Sequence, residues 1–130
     1  MRRHAPPRCT QRVRCVYLWE GLTTEHAAAV FAHELGHVHM FTSHFPALAA
    51  VDEEGLCELL CSLWLEKRAS RARLPEDASL ARVRLEGMRA NTDPVYGEGL
   101  RRARAALTAR AGDVSRLFDD TRRAGRIPHR

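Results

Sequence analysis

The chain has 130 residues, with 21 Lys and Arg against 16 Asp and Glu, a formal charge of +5 and an apolar fraction of 45%. A domain of this size buries roughly two-thirds of its unfolded surface, so it builds a core without disulfides, and its Leu, Ala and Val content excludes a disordered chain. No apolar run nears the ~18 residues of a membrane-spanning helix, and the basic opening MRRHAPPRC lacks the apolar stretch of a secretory signal; the expectation is a soluble, cytoplasmic protein with no membrane partner.

In chain order, residues 1–12 read as a basic tail, and one domain is expected over 13–128. Arg12 to Glu20 alternates loosely and is rich in Val, Tyr and Trp, which predicts a short strand ended by Gly21. Thr23 or Thr24 then caps a first helix, with Glu25 at the positive end of its dipole, running to about Phe41 or Ser43 before Pro46. Asp52 is the expected cap of a second helix carrying Leu56, Leu59, Leu60, Leu63 and Trp64 and ending near Ala69. A third helix follows Pro75 with Leu80, Val83, Leu85 and Met88 as its apolar face. After Asn91-Thr92-Asp93-Pro94 come a fourth helix around Glu98 to Ala109 and a fifth around Val114 to Ala124, separated by Gly112 and closed by Gly125. The fold class is mainly α (α+β): a short N-terminal sheet element, then about five helices.

Charge is segregated. Residues 15–66 hold no Lys or Arg but eight acids, Glu20, Glu25, Glu34, Asp52, Glu53, Glu54, Glu58 and Glu66, an acidic basin suited to a metal or a cationic peptide. The Arg-rich ends lack interleaved aromatics and any nucleic-acid motif, so no nucleic-acid partner is expected, and Arg101, Arg102 and Arg104 read as a solvated face. Cys9, Cys15, Cys57 and Cys61 show neither zinc-ribbon nor disulfide-framework spacing, and read as buried, reduced thiols.

The chemistry lies in the first helix, in His33-Glu34-Leu35-Gly36-His37. At 3.6 residues per turn both imidazoles leave one face and can bind one zinc ion, while Glu34 beside them can take the proton of a zinc-activated water. A third ligand is required. His44 lies roughly 10 Å past His37 along the axis, His39 points away from the ligand face, and Met40 and Ser43 stand where a metzincin needs Gly and His. The acidic start of the second helix supplies the candidates. Glu54 and Glu58 share a face, so Glu54 can bind the metal while Glu58 fixes the tautomer of a ligand histidine. Glu53 is the rival ligand, on a stripe with Cys57, Leu60 and Trp64 that can instead edge the core or a substrate cleft. Tyr96, between Pro94 and Gly97, is either an oxyanion donor or a phenol packed on the first helix.

HELGH followed by the EEG of Glu53, Glu54 and Gly55 resembles the gluzincin branch of zinc metallopeptidases. With VYLWEGL, VDEEGLCELLCSLWLE and DPVYGEGLRRARAAL, the chain from about Val13 to Pro128 is similar to the C-terminal peptidase domain of the plant LIM-domain, ubiquitin-activated organ-size regulators, the "DA-one" peptidases. The resemblance implies a minimal zincin-like fold and a zinc metallopeptidase acting on a protein or peptide substrate. It implies His33, His37 and Glu54 as ligands and Glu34 as general base. Met1 to Arg14 carries neither a LIM nor a ubiquitin-interacting pattern, so ubiquitin regulation and the plant substrates do not transfer. The competing reading is a non-catalytic, zinc-stabilised protein-binding module.

Overall fold

The computed structural model describes residues 12–129. Among them are five helices, α1 (Thr24–Thr42), α2 (Ala50–Arg71), α3 (Pro75–Ala90), α4 (Tyr96–Thr108) and α5 (Val114–Ala124), and no strand. None is long and apolar enough to cross a membrane. Most of the basic tail, with Cys9, lies outside the described residues.

The segment expected as a strand is the main correction. Residues 12–19 have no ladder partner among the described residues, and Tyr17 and Trp19 are 86% exposed. Alternation encodes the conformation of a strand but not the second strand that must satisfy its backbone groups.

Local signals account for the helix ends. Thr23 caps α1, its side chain accepting from the His26 amide at 3.3 Å, and the chain leaves α1 through His44 in the left-handed region at φ 56°. Asp113 accepts from the Arg116 amide at 2.9 Å to start α5, and Gly125 at φ 69° ends it. Asp52 is not the cap of α2: Ala49 is, and Asp52 sits buried in the first turn with Arg102 3.9 Å away.

The central element is α2, against which α1, α3 and α4 all pack. Its residues divide between two apolar clusters: Leu56 and Leu59 join Met40, Leu100, Leu117 and Phe118, while Cys61 and Leu65 join Ala29, Ala81 and Leu85. The buried face of α3 differs from the expected one, with Ala78, Ala81 and Leu85 inside, while Leu80 is 48% and Val83 66% exposed. Small residues let α3 approach α2 closely, and a reading that follows only bulky side chains passes over them.

Close approach also fixes α2 against α4 and α1. A Cβ on Gly55 would meet the Gly99 carbonyl oxygen at 2.5 Å, and one on Gly36 would meet Cys57 Sγ at 2.8 Å. Backbone therefore touches backbone where α2 crosses α4, and sulfur touches backbone where it crosses α1.

The Arg side chains of α4 form a face that is open to solvent at Arg101 and turned onto α2 at Arg104. Arg104 donates to Ser62 and Glu66 of α2, Arg102 donates to Glu98 and approaches Asp52, and Arg101 donates to Glu98 and the Asn91 carbonyl. Arg68 likewise ties α2 to Glu25 of α1 at 3.1 Å and Asp77 of α3 at 3.2 Å. Cys57 and Cys61 are buried, whereas Cys15 is exposed, and all three are free thiols.

Candidate metal centre

His33 and His37 lie on α1 between Ala29, in one core cluster, and Met40, in the other. That face meets the first turns of α2 because Gly36, between the two histidines, lets Cys57 come against the α1 backbone. Glu53, Glu54 and Glu58 are thereby brought opposite the imidazoles.

The result is a closed pattern of nitrogen and oxygen. Glu54 Oε2 stands 3.0 Å from His33 Nε2 and 3.4 Å from His37 Nε2. The other nitrogen of each ring is taken separately: His33 Nδ1–H donates to Glu58 Oε1 at 2.8 Å, and His37 Nδ1–H donates to Glu53 Oε1 at 2.9 Å. The ring centroids are 5.2 Å apart, edge to face.

This donor set fits a divalent cation. With both Nδ1 positions donating, both neutral imidazoles present an Nε2 lone pair, and these meet the carboxylate oxygen of Glu54. Three acceptors facing one another repel unless a cation or a proton lies among them. Carboxylates on the outer ring nitrogens are the orienting arrangement that metal-binding histidines use. Protonation supplies the other solution: burial disfavours the charged form of His33, but the hydrogen bond to Glu58 and the charges of Glu58, Glu54 and Glu34 outweigh it and raise its pKa.

Cys57 Sγ is also within 4.8 Å of ring nitrogens of His33 and His37. It is fully buried and wedged on Gly36. Burial and the surrounding charges of Glu54, Glu53, Glu34 and Glu58 push its thiol far up in the metal-free fold, whereas a cation beside it would favour the thiolate.

Two grooves meet at this cluster. One, of about 500 Å³ between α1, α2 and α3, is lined by His26, His33, Glu34, Glu58, Arg84, Asn91 and apolar residues. The other, of about 410 Å³, runs between the extended segment and α1 and is lined by Val13, Cys15, Val16, Tyr17, Glu34 and His37. Glu34 faces both.

Tyr96 opens α4, where Asp93 Oδ1 accepts from the Val95 and Tyr96 amides at 2.8 Å. Its ring centroid is 6.4 Å from that of His33, its hydroxyl has no hydrogen bond among the described residues, and the residue is 42% exposed. The negative charge of Glu54, then burial, raises its pKa and keeps the phenol protonated.

His39 is away from the cluster, edge-on to Phe45 and Phe118. Sequence reasoning missed the contact of Glu53 with His37. The signal was present: neighbouring acids on a helix point about 100° apart, enough to address two rings one turn apart.

A family model described as DA1-like, Protein DA1, matches residues 3–82. Among curated proteins the chain is similar to Protein DA1-related 2 of Arabidopsis thaliana, 29% identical over 154 aligned residues, which take in 97% of this chain. The chain spans 29% of the length of that relative. No solved structure matches it.

Proposed function

The chain belongs to the DA1-like family, and from the geometry of its histidine cluster we propose that it is a zinc-dependent metallopeptidase with a minimal zincin-like fold. The observation that carries this reading is the meeting of both Nε2 atoms on Glu54, with each Nδ1 held by its own carboxylate. His33, His37 and Glu54 hold the metal, and Glu58 and Glu53 orient the rings. Zinc, when bound, supplies Lewis-acid polarisation of the scissile carbonyl and acidifies water.

Glu34, facing both grooves, accepts the proton of the attacking water and returns it to the leaving amine. Tyr96, with its hydroxyl free and protonated, donates to the developing oxyanion. The extended segment 12–19, whose backbone has no partner among the described residues, lies beside Glu34 and His37, and a substrate peptide adds to it as a strand. Protein or peptide is the partner in this reading, without nucleic acid. Buried free thiols at Cys57 and Cys61 suit the cytoplasm.

One observation favours a second reading. Cys57 near the two rings would close a four-ligand site, which marks a structural zinc and a non-catalytic binding module. The test joins metal analysis to digestion of a proteome-derived peptide library. On the peptidase reading the protein binds one zinc and cleaves peptides, Cys57→Ala keeps the metal, and Glu34→Gln keeps the metal but not the cleavage. Loss of zinc in Cys57→Ala with no cleavage by the parent protein would establish the binding module instead.

A further inference from the structure

The groove between α1, α2 and α3 has an apolar floor that includes Ala29, Val30, Leu65 and Met88, and one Arg, Arg84 of α3, stands in its wall. Two of its neighbours in charge are already committed. Glu25, which feels the Arg84 charge, accepts from Arg68 at 3.1 Å, and Glu58 holds His33. Arg68, Arg89 and Arg104 all reach carboxylates of their own, whereas Arg84 has no ion pair among the described residues. It is partly buried. A guanidinium that has no carboxylate of its own can take one from a ligand, and its planar fork matches a carboxylate at two points. The same groove runs up to Glu34 and His33.

We propose that Arg84 sets the substrate class of this site by binding a carboxylate of the peptide lying in the groove, either an Asp or Glu side chain near the cleaved bond or a free C-terminus. The proposal rests on the peptidase reading. The two sources share one chemistry and are separable by substrate design.

The experiment offers the zinc-loaded protein, and its Arg84→Lys and Arg84→Glu forms, peptides in which Glu or Gln is placed at successive positions, each with a free or an amidated C-terminus. Cleavage is read as relative kcat/KM. Affinity for the same peptides is measured by calorimetry on the Glu34→Gln protein with and without Arg84→Glu, and circular dichroism confirms that every variant is folded. One carboxylate should raise kcat/KM and affinity about tenfold, as a charge-assisted hydrogen bond does. The preference should weaken but keep its sign in Arg84→Lys, which retains the charge without the fork, and reverse toward Lys-bearing peptides in Arg84→Glu. A Glu-against-Gln difference assigns the side chain, and an acid-against-amide difference assigns the C-terminus. Equal cleavage and binding of acidic and neutral peptides, or a preference that survives Arg84→Glu, overturns the proposal. If no peptide is cleaved but acidic peptides bind in an Arg84-dependent way, the peptidase reading fails and the carboxylate site stands.

Discussion

Glu53 and Glu54 are adjacent in sequence and do different work because successive residues of a helix point about 100° apart. Glu54 Oε2 faces both Nε2 atoms, while Glu53 reaches around to His37 Nδ1. Glu54→Ala should therefore abolish zinc binding, whereas Glu53→Gln should weaken it about 10- to 100-fold, as loss of an orienting partner does; a zinc titration against a competing chelator separates the two. Glu34→Gln should retain zinc and lose about 10²- to 10⁴-fold in kcat, the usual share of a general base. Full activity in that variant would rule out the assigned role. His33 gives a pH signature. Its pKa is raised from 6.5 in the metal-free fold, so its contribution to stability is complete below that value and is lost as pH rises through the raised one. Melting in the presence of a chelator should show stability falling on the alkaline side of 6.5, and His33→Gln should flatten that slope.

At the scale of elements, the site depends on how closely helices cross. Gly55 and Gly99 bring the backbones of α2 and α4 into contact, which carries Tyr96 toward His33, and Gly36 admits Cys57 between His33 and His37. A methyl group at Gly55 has only the backbone of Gly99 to displace, so Gly55→Ala should cost about 1–3 kcal/mol of stability, the range of an overpacked core. Zinc affinity should fall with it, because Glu54 is the adjacent residue. Gly87 is the control, since a methyl group there would have no neighbour within 4 Å. Gly87→Ala in mid-helix should be neutral or stabilising by a few tenths of a kcal/mol to about 1 kcal/mol. Denaturant unfolding of the two variants compares them directly.

Across the whole molecule, the acidic basin of residues 15–66 is offset in part by arginines from outside it. Glu25 meets Arg68, Glu66 meets Arg89 and Arg104, Asp52 faces Arg102, and Glu53, Glu54 and Glu58 are turned on the imidazoles. Since the ligands come from two helices that must dock to create the site, metal should stabilise the docked state. Zinc at about 1,000 times its Kd should add about 4 kcal/mol, a rise in Tm of the order of 10 °C, reversed by chelation. An unchanged Tm would show that the cluster does not bind zinc.

Five helices and their order could be read from Thr23, Pro75, Gly112 and Gly125, because caps and breakers act on the backbone within a few residues of themselves. The pairing of His33 and His37 could be read for the same reason, since helical geometry alone puts both on one face. Local pattern does not encode which surfaces meet. The alternation of residues 12–19 could not reveal that no strand among the described residues pairs with it, nor could the count of bulky residues in α3 show that Ala78 and Ala81 face inward. The division of labour among Glu53, Glu54 and Glu58 was decided by the crossing of α1 over α2 at Gly36 and Cys57, a contact between residues far apart in the chain. Spacing determined that this protein could present two imidazoles to one ion; only packing decided which carboxylate stands between them.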